Sequence, residues 1–538
     1  MPERSWDATA DVVVVGFGGA GACAAIEAAD AGADVLVIDR FAGGGATAIS
    51  GGVVYAGGGT VEQTAAGVSD SPRAMYDYLR LETNGAVSDE TLRRFCDGST
   101  DMLTWLADQG VPFDGSLCGY KTSYPTNRHY LYYSGNELSA PYRDAAAPAA
   151  RGHRAHGRGT SGKVLFAALA AAVARRGVQV KPQTRAEELL TDETGAVVGV
   201  LCSVLDGAPA LVVRQHRWLS RSVGKLNLWF RPAGKRVSRR LERIEGRYSR
   251  RWTVQARRGV VLSAGGFSFN RSLVRQHIPA YAVGLPLGTV GDDGSGIGMG
   301  QLAGAATKHL DRATAWRFFT PPSALAKGLL VGLNGERICN EALYGATVAE
   351  SVIHHHEGKA YLLVDGPLLA EARRQVPEQT LWFQRAQAHT MLGSGRVEGQ
   401  TIEQLAEKAG LDADALAGTL AAYNEMARSG LADPMGKPAD QIQPLDTAPY
   451  SLIDCSVRAS VRFPCPVMTL GGLVVDEATG QVLDDSDAPV HGLFAAGRTA
   501  AGICAKSYVS GLSLADCVFS GRRAGKTAAT TERLTDAH

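Results

Sequence analysis

The stretch from Asp11 to Asp39 constrains the fold more than any other part of the chain. An apolar run, Val12-Val13-Val14-Val15, leads into Gly16-Phe17-Gly18-Gly19-Ala20-Gly21. A small-residue segment follows, and a second run, Val35-Leu36-Val37-Ile38, ends on Asp39-Arg40. Strand, glycine turn, helix and strand in that order make one βαβ unit. Gly16 allows the tight turn, Gly18 lets backbone amides approach a pyrophosphate, and Gly21 lets helix and strand pack closely. The helix N-terminus offers partial positive charge to phosphate, and Asp39 is placed to accept from ribose hydroxyls. Such a glycine motif alone is weak. Set between strand and helix, with an acid about 20 residues on, it predicts an adenine dinucleotide site.

At 538 residues the chain is long for a single core, so two domains or one domain with large insertions are expected. Its 45% hydrophobic and 20% charged residues are those of an ordinary globular protein and exclude a disordered one. Polar residues 1–10 argue against a signal peptide, and no run of about 18 apolar residues points to a transmembrane helix. The nine cysteines lack C-x-x-C or zinc spacing, which predicts reduced thiols and a cytoplasmic location. His354-His355-His356 point in different directions and have no partners at ligand spacing, so no metal is expected.

Beyond the first unit, the glycine-rich segment 43–52 reads as a loop whose Gly45, Ala46, Thr47, Ser50, Gly51 and Gly52 wrap a second part of the cofactor. Residues 71–110 read as amphipathic helices. Residues 117–158 are irregular and rich in tyrosine; Tyr120 and Tyr124 either line a flat apolar ligand pocket or cover the core. An alanine-rich helix over 161–176 precedes strands at 178–180, 184–190 and 198–201. Between Arg214 and Arg258 stand fifteen Lys/Arg against only Glu242 and Glu245, together with Trp218, Trp229 and Trp252. Residues 205–258 therefore read as a basic insertion. The strand from Gly259 through Ala264 and Gly265 returns the chain to the nucleotide. From 285 to 452 long helices replace the strand-to-glycine pattern, which predicts a second domain. The segments 471–476 and 492–497 restore that pattern, and a last helix starts near Ser513. The fold expected is α/β: a Rossmann-like domain of residues 1–284 and 453–538, with an inserted α+β domain of 285–452.

These pieces, in this order, resemble the flavoprotein family of fumarate reductases and 3-ketosteroid dehydrogenases. The resemblance rests on Gly16 through Gly21, Gly44 through Gly52, Val260 through Phe267, Gly294-Ser295-Gly296-Ile297-Gly298, Asn334-Gly335-Glu336-Arg337 with Asn340-Glu341, and Gly492 through Gly497. It implies non-covalent FAD, since covalent relatives use a histidine near the first glycine loop and 41–54 holds none. It also implies that Ala186, Glu187, Ala264, Gly265, Gly497, Arg498, Ser513 and Leu514 join the cofactor site, and that the inserted domain presses substrate onto the isoalloxazine. Fumarate reductases usually have Ala-Ala-Gly-Glu where this chain has Ala495-Ala496-Gly497-Arg498. The following Ser507-Tyr508-Val509-Ser510-Gly511 offers hydroxyls in place of the cations that clamp a dicarboxylate. Its Tyr-x-Ser-Gly is similar to the 3-ketosteroid Δ4-(5α)-dehydrogenases, and Tyr344 stands where both ketosteroid groups have a tyrosine.

That resemblance implies removal of a 4β proton and a 5α hydride from a saturated 3-ketosteroid. An enolate must be stabilised while a base takes the α proton. Tyr508 is the expected donor to the 3-keto oxygen, with a backbone N–H near Gly511 as second donor. Ser510 is the immediate proton acceptor, and Tyr344 its relay or phenolate partner. The alternatives are Δ1-dehydrogenation, a fumarate-type enone reductase, an NAD-linked enzyme, or a binding protein that kept the fold. No second Gly-x-Gly-x-x-Gly follows a strand, so a separate electron acceptor is expected. Nucleic acid binding is not expected, for no such motif accompanies the basic charge. Peripheral membrane contact through 214–258 is, with Leu219, Val223, Leu226, Leu228, Trp229 and Phe230 as its apolar bulk; a solvated hairpin is the plain alternative.

Overall fold

A computed structural model describes residues 5–229, 231–458 and 464–534. Strand Ala8–Val15, helix Gly19–Asp30 and strand Val35–Asp39 form the expected unit, with Val12–Val15 parallel to and in register with Val35–Ile38. Both strands bury side chains on both faces, as a parallel sheet covered by helices requires. The sheet runs in the order 481–483, 489–495, 250–262, 8–15, 35–39, 179–182, so the chain's last strands join the sheet of its first, with 250–262 between them. Helix Leu512–Thr530 packs on Gly19–Asp30 at very short range. A Cβ on Gly521 or Gly525 would come within 2.4 or 2.1 Å of the carbonyl oxygens of Ala20 and Ala24.

The basic segment is a pair of helices, Ala210–Trp229 and Arg231–Tyr248. Leu205, Leu219, Val223, Leu241 and Ile244 form a small core of their own between them. Leu219 and Val223 are therefore spent inside the hairpin and are not free for a membrane, a correction to the expected apolar face. Leu226 is partly buried, Phe230 and the side chains of Leu228 and Trp229 lie outside the described residues, and Trp218 is 67% exposed. The insertion also ends sooner than its charge suggests. Arg250–Leu262 is one strand of the main sheet, and Trp252, Val254 and Ala256 alternate into the core. Its arginines face outward, Arg250 to Asp206 and Arg257 to Asp11. Charge counting followed the outward residues and missed the period-two pattern beneath them.

Within the glycine-rich loop, Gly45–Ile49 closes into a short helix, where an irregular loop was expected. Gly472–Leu473 pairs with Thr307–Lys308 and stays out of the main sheet. In the second region, strands 329–331, 361–364, 450–454 and 396–399 make an antiparallel sheet, and 402–409 and 413–429 are separate helices. A buried charge cluster locks the loop before Tyr344. Glu341 meets Arg337 at 2.8 Å and Lys437 at 3.0 Å, and accepts from the Leu330 amide at 2.8 Å. Arg337 also meets Asp433 at 2.5 Å. With both charge signs present and hydrogen bonded, burial is tolerated.

Candidate active site

The nucleotide end is assembled from backbone. Gly16 has φ +101°, and its Cβ would lie 2.6 Å from the Ser263 carbonyl oxygen, so only glycine fits. A Cβ on Gly21 would lie 1.9 Å from the Gly16 oxygen, whereas one on Gly18 would meet nothing nearer than Thr47 Oγ1 at 4.0 Å. That open face lies at the N-terminus of Gly19–Asp30, where no side chain caps the helix. Such an end suits a pyrophosphate. Gly19 donates to Thr47 Oγ1 at 3.0 Å, joining the two glycine loops, and Ser50 Oγ accepts from Gly52 at 3.1 Å. Asp39 accepts from the amides of Phe17 (2.9 Å), Phe41 (2.8 Å) and Gly43 (3.2 Å), which leaves it about one lone-pair site for a ribose hydroxyl.

Arg40 is turned elsewhere, to Glu245 and Asp293 at 2.9 Å each. Glu245 also meets His216 at 3.0 Å, so Arg40 ties the basic hairpin to the nucleotide loop. Ala186 is buried in its strand, while Glu187 is exposed and bonded to Ser203. Gly265, φ +86°, donates to Thr499 Oγ1 at 3.0 Å just beyond Ala264, and Gly497 donates to Ser520 Oγ at 2.9 Å beside Ala20. Arg498 meets Asp292 at 2.5 Å, and its Nη1 is buried without a partner. A buried, unpaired guanidinium nitrogen calls for an acceptor, which a flavin dinucleotide offers along its ribityl and phosphate oxygens. Ser513 and Leu514 lie in the first turn of the last helix, whose N-cap is Gly511 at φ +95°; no side chain covers its amides. The residues present fit FAD.

At the other end Gly511 shapes the site. Its carbonyl accepts from Tyr55 N at 3.1 Å, and a Cβ on it would lie 2.8 Å from that nitrogen. Before this turn, Tyr508 and Ser510 project toward Tyr344, the residue preceding helix Gly345–His355. The Gly511 N–H faces the Tyr508 hydroxyl oxygen, so these two groups lie side by side. Ser510 Oγ lies 2.9 Å from the Tyr132 hydroxyl and near enough to the Tyr344 hydroxyl to influence it. Burial pushes the hydroxyls of Tyr508, Tyr132 and Tyr344 well above the usual phenol range, so each stays protonated at neutral pH. This favours Tyr344 as a relay over a phenolate.

Two aromatic residues without a marked sequence pattern complete the wall. Trp316 lies 5.6 Å from Tyr508, and Phe318 lies 5.4 Å from Tyr344 between ring centroids. Their only signal was the run Trp316-Arg317-Phe318-Phe319. Tyr120 and Tyr124 pack against the cluster of Val53, Cys118 and Tyr132. The Tyr124 hydroxyl donates to Gly51 O at 2.7 Å, and the Arg154 guanidinium sits 4.7 Å over its ring. Tyr124 thus braces the cofactor loop, and Tyr132, from the same tyrosine cluster, is the one that reaches the site.

A family model described as FAD binding domain matches residues 11–511. A 3-oxo-5-alpha-steroid 4-dehydrogenase of Comamonas testosteroni is 38% identical over 92% of this chain and 93% of its own. The crystal structure of 3-ketosteroid-delta4-(5alpha)-dehydrogenase from Rhodococcus jostii RHA1, in complex with 4-androstene-3,17-dione, superposes with a TM-score of 0.83. It is 33% identical, with 98% of this chain and 99% of that one covered. A 3-ketosteroid delta1-dehydrogenase from Sterolibacterium denitrificans shares the fold at a TM-score of 0.64 and 20% identity, covering 97% of this chain and 99% of that one. Glycine loops, sheet order and relatives agree: the chain belongs to the FAD binding domain family of flavoproteins, and FAD is its cofactor.

Proposed function

We propose that this protein is a 3-ketosteroid Δ4-(5α)-dehydrogenase, desaturating a 3-keto-5α-steroid between C4 and C5. One observation carries the reading: Ser510 Oγ, 2.9 Å from the Tyr132 hydroxyl, shares one short turn with a pair of groups able to donate to a ketone, the Tyr508 hydroxyl and the Gly511 N–H. The relative from Comamonas testosteroni, named for this reaction, supports it. The donor pair receives the 3-keto oxygen and stabilises enolate charge as it develops. Ser510 takes the 4β proton as it passes its own to the Tyr344 oxygen, and Tyr344 in the same relay releases its phenolic proton to water, with Tyr132 holding the serine oxygen in place. Bound FAD supplies the hydride acceptor for C5. Trp316, Phe318, Tyr344 and Tyr508 offer an aromatic wall for the steroid rings, and residues 285–452 cap the flavin. With no histidine in 41–54, the flavin is held without a covalent bond.

Product analysis decides between this reading and its relatives. Under anaerobic conditions 5α-androstane-3,17-dione should bleach the flavin and yield 4-androstene-3,17-dione. A Δ1-desaturated product, or no bleaching, overturns the reading. Electrons then pass to a separate acceptor, a reading supported by the sequence, in which no second Gly-x-Gly-x-x-Gly follows a strand.

Among the described residues no helix is long and apolar enough to cross a membrane. Steroids nevertheless partition into lipid, and the hairpin exposes Arg214, Arg217, Arg221, Lys235, Arg236, Arg239, Arg240, Arg243 and Arg247, beside the exposed Trp218. We propose that this face rests on anionic lipid. Each cation near the surface contributes about 1 kcal/mol, lost as salt rises. Binding to anionic vesicles at low salt should disappear when Arg239, Arg240, Arg243 and Arg247 are changed to glutamine. No binding by the unaltered protein sinks the proposal.

A further inference from the structure

Behind the site lies a buried acid that the reaction above does not use. Glu82, 3% exposed, sits in the last turn of helix Pro72–Thr83. It accepts from Asn136 Nδ2 at 2.9 Å, from the Tyr78 hydroxyl at 3.0 Å and from Ser507 Oγ at 3.3 Å. Asn136 Oδ1 in turn accepts from Tyr344 N at 2.6 Å, and its Nδ2 also reaches Thr347 Oγ1 at 3.0 Å. The same 132–136 segment carries Tyr132, and its Ser134 carbonyl accepts from Ser510 N at 3.3 Å. One carboxylate therefore gathers the three segments that supply Tyr132, Tyr344 and Tyr508–Ser510. Among the described residues no cation forms an ion pair with it.

We propose that Glu82 is a positioning residue whose carboxylate form holds these three segments in register, and whose protonation slackens the site and slows turnover. An ionised carboxylate only accepts, which suits three donors; once protonated, the acid must donate from one oxygen, so a hydroxyl partner such as Ser507 has to turn from donor to acceptor and the remaining bonds lose their charge assistance. Burial pushes Glu82 up to about 7, with the nearby Glu137 adding in the same direction. Around it stand Tyr78 on its own helix, Lys121 and Glu137 from the 121–137 loop, Tyr142, Tyr344, and more distantly Tyr55 and Arg151. Lys121 is spent on the Gly135 carbonyl at 2.7 Å, and Lys506 on the Asn84 carbonyl at 3.1 Å. The switch falls where small changes in pH move it: charged and ordered above about 7, neutral and loose below.

The inference rests on the desaturation proposed above, and kcat against pH tests it in the FAD-loaded protein. The unaltered protein should lose turnover below about 7, with KM little changed. E82Q should remove this acid limb and lower kcat at alkaline pH on the order of 10–100-fold, as misplacement of catalytic groups does. E137Q leaves Glu82 in place but removes a like charge, so the limb should move to lower pH. Should E82Q fail to retain flavin colour, the E137Q profile decides. An acid limb that stays put in E137Q, or that survives in E82Q, overturns the proposal. So does a profile flat through pH 7 in a protein that still bleaches with substrate. Absence of bleaching in every sample instead fails the reaction itself, and this inference with it.

Discussion

Ser510→Ala should reduce turnover by about 10³-fold, within the 10²–10⁴ range that a positioned proton acceptor supplies. Steroid binding and flavin content should be retained, because the change removes one hydroxyl and little surface. A structural cost accompanies it: the Tyr132 hydroxyl, in a fully buried residue, loses its partner at 2.9 Å. An unsatisfied buried hydroxyl costs about 1–3 kcal/mol, so a lower melting temperature is expected alongside the lost activity. Rapid mixing with 5α-androstane-3,17-dione separates the two effects, since flavin reduction slows even at temperatures where the variant is fully folded. Near-normal reduction would take Ser510 out of the reaction.

Tyr508→Phe should cost about 10²–10³-fold in kcat, the usual consequence of removing one donor from an oxyanion site. Gly511 N–H remains as the second donor, so the loss should be partial. Because the phenol donates most strongly to an enolate, kcat should fall more than steroid affinity. Burial keeps the Tyr508 hydroxyl protonated well past neutral pH, so its contribution should not titrate away across the neutral range. If KM rises while kcat holds, Tyr508 serves binding alone.

The cofactor half of this protein was legible because its chemistry is local. Gly16, Gly18 and Gly21 act through backbone within one turn, and the apolar runs 12–15 and 35–38 declare a buried parallel pair by composition. Tyr508, Ser510 and Gly511 lie in one short segment, so a motif could carry them. The last helix began at Leu512, one residue from the expected Ser513. Charge alone marked the hairpin, but not its core or its end at Tyr248.

What remained hidden is whatever depends on which distant segments meet. Among five nearby tyrosines, nothing local separates Tyr132 from Tyr120 and Tyr124; the pairing of Leu131–Tyr132 with Gly152–His153 decides which ring faces Ser510. Arg40 follows Asp39 at the end of the second strand and looks like a cofactor ligand, yet Glu245, 205 residues away, takes its guanidinium. Glu82 reads as an ordinary charge near the end of an amphipathic helix until Asn136 and Ser507 close over it. Backbone conformation and burial pattern are written within a few residues, because sterics and the hydrophobic effect act at that range. Partner choice among buried polar groups is set by long-range packing, and only the tertiary structure supplies it.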